Sequence, residues 1–180
     1  MGRVTNPSDN ESEDHRLIKK KENMVDSSIS SITKYIQDVA KGRGRSSLEA
    51  LMLEGLKIIH IGKGILRCKL RITDRVSGED GVWQAGAITS VMDMIGAAVV
   101  FTAGDGLHVS LDLNTSFYST AKIQEEVEVE GRVVATKASL KGAVVEIRRE
   151  GNGEVIATGR IWMSQLSLKV KDEVTQLSKL

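Results

Sequence analysis

The chain has 180 residues, 41% of them hydrophobic, and a formal net charge of +1 at pH 7. That length holds one domain with tails, and so small a charge selects no partner by bulk electrostatics. No basic stretch interleaved with aromatics suggests nucleic-acid binding, and a single cysteine, Cys68, excludes an internal disulfide and fits a reducing compartment.

Residues 1–23 are polar and charged, so a disordered tail is expected there. No apolar segment of secretory-signal type opens the chain. Residues 24–54 predict a helical segment. Asp26 can cap it, and Ile29, Ile32, Tyr35, Ile36 and Val39 recur at helical spacing. Gly42-Arg43-Gly44-Arg45 ends that pattern and reads as a solvated linker. Ser46 or Ser47 then opens a short turn from Leu48 to Glu54.

From 55 to 166 the pattern is that of one domain. Leu56 to Ile61 and Ile65 to Thr73 read as strands joined by Gly62-Lys63-Gly64. Cys68 takes an apolar position of the second alternation, which fits a small buried hydrophobe better than a nucleophile. The stretch from Trp83 to Phe101 is the longest apolar run and predicts a helix buried on nearly all sides. It is slightly short for the ~20 residues of a membrane span, and its central Asp93 would cost about 2.5–3.5 kcal/mol there. A buried carboxylate must be hydrogen-bonded, paired or protonated. Asp93 is therefore either a structural group at a subunit contact or a working one, and desolvated carboxylates cluster at active sites. A helix apolar on more faces than one sheet can cover also predicts a homo-oligomer.

Gly104-Asp105-Gly106 stops the helix, and four strands follow. In Leu107 to Tyr118, Val109, Leu111 and Leu113 alternate against His108, Ser110, Asp112 and Asn114. The next strands are Glu125 to Thr136, Ser139 to Arg149 and Glu154 to Ser164, the last two flanking the hairpin turn Gly151-Asn152-Gly153. The expected class is α+β, one antiparallel sheet wrapped round a long central helix. Residues 167–180 form a polar tail ending Ser178-Lys179-Leu180, the tripeptide read by the peroxisomal import receptor, so a peroxisomal location is expected.

The patterns WQAGAITSVMD, HVSLDLNTSFYSTAK and GNGEVIATGRIWM, in that order and spacing, resemble the hotdog-fold acyl-CoA thioesterases, specifically their small plant and animal group. The resemblance covers roughly Leu48 to Ser164. It implies a homotetramer built as a dimer of dimers, with active sites between subunits, and hydrolysis of acyl-CoA without metal or cofactor. The family's catalytic Asp falls on Asp93 and its hydroxyl partner on Ser110. The family usually opens the helix with His-Gly-Gly, where this chain has Gln84-Ala85-Gly86, and a loop Asn common in the family aligns near Gly78. The family's CoA segments match Phe117 to Lys122 and Ala135 to Leu140. Phe117, Tyr118, Ser119, Lys122, Lys137, Ser139 and Leu140 are thereby candidate CoA contacts, with Lys122 and Lys137 for the phosphates.

The chemistry is consistent with this. Asp93 can accept a proton from water and Ser110 can help fix that water. Amides near Ala85 and Gly86 at a helix N-terminus can hold the carbonyl oxygen, and Gln84 can add a side-chain N–H. An Asp93 nucleophile is a second route. Asp93 lies about 12 Å along the helix from those amides at ~1.5 Å per residue, so a site assembled from two chains is expected. No Cys and His spacing suggests zinc. His108 shares a strand face with Ser110 in this reading and is taken as satisfied or exposed. The alternative function is a non-catalytic hotdog protein that binds acyl-CoA or scaffolds partners. A hydratase is disfavoured because no His accompanies Asp93 in its helix.

Overall fold

The computed structural model describes residues 7–43, 47–104 and 106–166. The expectations for Gly44, Arg45, Ser46 and Asp105, and for the tail with Ser178-Lys179-Leu180, lie outside those residues.

Helix α1 runs over Pro7–Ala40. Pro7 sits where a missing amide costs nothing, and no glycine interrupts the segment before Ala40. Residues 7–23, which composition assigned to a disordered tail, are therefore the first turns of this helix. Their Glu, Lys, Arg and Leu are good helix formers even without a face to bury, and 15–24 are exposed. The second half is anchored. Ser28, Ile36 and Val39 are buried, and Val25, Ile29 and Ile32 are half-buried, at the spacing the sequence predicts. Gly42, with φ 74°, ends the helix and donates its amide to the Val39 carbonyl at 2.9 Å. A short helix α2, Ser47–Met52, follows.

Six strands, β1 (Lys57–Gly62), β2 (Ile65–Arg71), β3 (His108–Phe117), β4 (Glu126–Lys137), β5 (Leu140–Arg149) and β6 (Val155–Gln165), form one sheet in the order β1-β2-β4-β5-β6-β3. All neighbouring pairs are antiparallel. The central helix α3, Ala85–Thr102, lies across the concave face. Ile88, Val91, Met92, Ile95 and Val99 of α3 are buried, as are Leu66 and Cys68 of β2, Val129 of β4 and Ile147 of β5. Glycines let the layers meet closely. A Cβ at Gly131 would lie 2.7 Å from Val99 Cγ2, and one at Gly159 2.8 Å from Met92 Sδ. α3 is long and apolar enough to cross a membrane by length and composition, and here the sheet packs against it. The opposite face of the sheet carries cross-strand ion pairs such as Arg67–Glu130 and Arg71–Glu126. Solvent exposure limits each to about 0–1 kcal/mol.

One strand departs from its sequence pattern in a way that matters for the site. The register of β3 against β6 shifts between Ser110 and Asp112, leaving Leu111 as a bulge. Ser110 pairs with Met163 and Leu113 with Ile161, whose side chains are buried in the core. The bulge thus puts Ser110 and Leu113 on the helix-facing side, although they are three residues apart. Val109 and Leu111, which simple alternation groups with Leu113, are exposed instead, as is Leu107. β3 ends the sheet, so this apolar row lies along a sheet edge.

Candidate active site

Asp93 lies near the middle of α3 and is half-buried. Ser110 Oγ donates a hydrogen bond to Asp93 Oδ1 at 2.7 Å. Two facts of local structure produce this pair. The helix turns Asp93 away from its fully buried face, and the bulge turns Ser110 toward the helix. The carboxylate keeps a second oxygen and further lone pairs for another donor.

Asp93 also lines a cleft of about 420 Å³ between α3 and the two preceding helices. Ile32 and Tyr35 of α1, Leu53 just after α2, and Ala97 and Phe101 of α3 line it, with His108 at the start of β3. His108 directs Nδ1 at the Gly106 carbonyl at 3.1 Å. α1 and α2 thus cover part of the apolar surface of α3 that the sheet leaves, the surface from which a homo-oligomer was expected. The contribution of α1 to this cleft was not foreseen. The apolar stripe of α1 was legible in the sequence, but its position over Asp93 was not.

The N-terminus of α3 forms a separate feature. Gln84 is the N-cap in extended conformation and makes no side-chain capping bond. Its amide Nε2 points back at the Ser77 carbonyl, at 3.5 Å. The Gln84 carbonyl accepts from the Ile88 amide at 3.0 Å, which closes the first turn. The amides of the residues between have no partner within the helix, and Gln84, Ala85 and Gly86 are exposed. A Cβ on Gly86 would meet nothing within 4 Å. This end opens on a second cleft, of about 410 Å³, lined by Gly78, Asp80, Gln84, Ala85, Phe117 and Ser119 among others. At Gly78 a Cβ would come within 2.9 Å of Asp80 Oδ1. The same oxygen accepts from the Val82 amide at 3.0 Å. The loop here is therefore held by Asp80, with no space left for an Asn at 78 unless Asp80 moves.

The candidate CoA residues divide between the two ends of the sheet. Phe117 and Ser119 line the cleft at the α3 N-terminus, and exposed Lys122 bridges to Val82 beside it. Ser119 Oγ donates to Glu154 Oε1 at 2.5 Å, which with Arg149 holds the Glu154 carboxyl below its ordinary range. Tyr118 is exposed, with its hydroxyl 3.2 Å from Thr158 Oγ1. Lys137, Ser139 and Leu140 form the turn between β4 and β5. Leu140 pairs with Ser164, which also pairs with Val109, whereas Phe117 pairs with Ala157. Seven residues of β6 separate those rungs, roughly 24 Å at ~3.4 Å per residue. Within one chain, then, Asp93, Ser110 and the 137–140 turn sit at one end, and the α3 N-terminus with Phe117–Lys122 at the other. Among the described residues, no three His, Cys, Asp or Glu side chains group closely enough to hold a metal ion.

Comparison with known proteins agrees with this architecture. Residues 80–156 match the family model described as the thioesterase superfamily. Mouse acyl-coenzyme A thioesterase 13 is 25% identical over 133 residues, which is 73% of this chain and 95% of the mouse protein. The crystal structure of zebrafish thioesterase superfamily member 2 superposes with a TM-score of 0.68 at 21% identity, covering 76% of this chain and 96% of that one. A Streptococcus mutans protein solved bound to acetyl CoA superposes with a TM-score of 0.58 at 19% identity, covering 62% of this chain and 88% of its own. The chain thus folds as a hotdog, one antiparallel sheet wrapped on a central helix, and its residues 80–156 are similar to the thioesterase superfamily.

Proposed function

We propose that this chain hydrolyses acyl-CoA to a free acid and CoA. The observation that carries the reading is the 2.7 Å bond from Ser110 to Asp93, a hydroxyl-oriented carboxylate set into an apolar cleft. In this mechanism Asp93 takes a proton from water as that water attacks the thioester carbon. Ser110 fixes the carboxylate's rotamer and leaves the other oxygen for the water. The oxyanion is held by the free amides at Ala85 and Gly86, which the positive end of the helix dipole reinforces. CoA leaves along the Phe117–Lys122 and 137–140 segments, with Lys122 and Lys137 as phosphate partners.

The amides and the carboxylate are too far apart along one helix to act on one carbonyl. The site we propose is therefore shared by two chains, each contributing one half to each of two sites. The exposed apolar edge of β3, with Leu107, Val109 and Leu111, supports pairing with a second copy, since such an edge otherwise invites uncontrolled association. A dimer of such dimers is the assembly proposed, with the peroxisome as its destination through Ser178-Lys179-Leu180. Similarity to mouse acyl-coenzyme A thioesterase 13 supports the substrate class. Release of free thiol from acyl-CoA by the purified chain, abolished in Asp93→Asn, is the deciding measurement. Binding of acyl-CoA with no thiol release would instead favour the non-catalytic reading that Gly78 and the turned-away Gln84 amide keep in view.

A further inference from the structure

We propose that the cleft between α1 and α3 is the acyl-chain channel and that α1 sets the chain length accepted, which is about ten carbons. This rests on the thioesterase reading for its occupant and on independent geometry for its dimensions. Asp93, beside which the thioester carbon would sit, lines the cleft, and its other walls are mostly apolar, with Ser31, Glu49 and His108 the polar side chains among them. Its volume of about 420 Å³ falls in the ~300–1,000 Å³ range of small-molecule sites. On its α3 side it runs from Asp93 past Ala97 to Phe101. Those positions span eight residues, about 12 Å at ~1.5 Å per residue. An extended chain advances roughly 1.2 Å per bond, so about ten carbons bring the methyl end to Phe101.

The opposite wall is α1, through Ile32 and Tyr35. This wall is fixed rather than loosely laid on. Ile36 and Val39 are fully buried in the core, and Val25 packs onto Gly104 so closely that a Cβ there would lie 2.8 Å from Val25 Cγ2. The conformation of Gly104, φ 86°, is one that glycine adopts without strain. A wall held at both ends gives the channel a fixed depth, which a loop would not.

The test uses full-length protein and two series of ligands, acyl-CoAs for thiol release and non-hydrolysable S-alkyl-CoA thioethers for calorimetric affinity. In the wild type, affinity should rise about fourfold per added methylene, the value of one buried CH₂, and level off near ten carbons. Ser31→Phe, at an exposed position that lines the cleft, should bring that plateau several carbons earlier. Ala97→Leu should do the same from the other wall, so that neither variant alone carries the result. An affinity independent of chain length in the wild type, or a plateau unmoved by both variants while the protein stays folded, overturns the channel. A chain-length gain without any thiol release leaves the channel standing and removes the hydrolase reading. Thiol release without a chain-length gain does the reverse.

Discussion

In the proposed mechanism Asp93 and Ser110 divide the work unequally, and their variants should show it. Asp93→Asn keeps the size of the side chain and can still accept from Ser110, but it removes the base. Turnover of acyl-CoA should fall by about 10²–10⁴-fold with the oligomer intact. Ser110→Ala should cost less, because the carboxylate remains and loses only the 2.7 Å bond that holds its rotamer. Steady-state thiol release on both variants checks the order. Cys68 offers a prediction of a different kind. Its Sγ–H faces the Val129 carbonyl at 3.6 Å, and burial pushes its thiol up to about 12 from 9.0. A raised acid favours the folded state while both forms are neutral. That contribution is complete below pH 9 and is lost as pH rises through about 12, because the unfolded chain releases its proton first. Native protein at pH 8 should therefore resist iodoacetamide, while urea-unfolded protein labels quickly. Mass spectrometry of the two samples decides it.

The helix α3 and the six strands were legible because each has an uninterrupted period and a stop signal. The edges observed differ from the expected ones by only a residue or two, as with Ala85–Thr102 against Trp83 to Phe101. The Asp93–Ser110 pair was legible only as motif. Alternation in β3 puts Ser110 on the face opposite to Leu113, and nothing in the local residues announces the bulge at Leu111 that brings both to the helix side. That information lies in the pairing with β6, which a one-dimensional period does not contain. α1 failed for the opposite reason. Its first half has good helix formers but no apolar face, and composition alone reads such a segment as disordered. The contact of α3 with β4 makes its own prediction. Gly131→Ala would place a methyl against Val99 Cγ2 and Ile95 Cγ2, at 2.7 and 2.9 Å, with both neighbours fully buried. Overpacking of this sort costs about 1–3 kcal/mol, and urea titration should show a lower midpoint with an unchanged slope.

On the shared-site proposal, assembly and location decide whether the chain turns over acyl-CoA. Removing Ser178, Lys179 and Leu180 should move a tagged protein from peroxisomes to cytosol by microscopy, because an import receptor reads the tripeptide and not the fold. Location after the deletion unchanged would point to another signal. The division of the site predicts something stronger, a complementation between two dead variants. Asp93→Asn lacks the base but keeps the α3 N-terminus. Ala85→Pro lacks one oxyanion amide but keeps the base. Proline is tolerated at this first helical position, and the extended Gln84 before it, φ −69° and ψ 138°, is the conformation a following proline requires. Each homodimer then has two broken sites. In the shared site proposed, where base and amides come from different chains, a mixed dimer has one site with both defects and one with neither. Equal parts refolded together should put half of the dimers in the mixed form, giving about a quarter of wild-type turnover from two nearly inactive parents. If both halves of a site came from one chain, mixing would give only the average of the parents. Thiol release by the refolded mixture, measured against each parent treated alike, separates the two arrangements without any structure of the dimer.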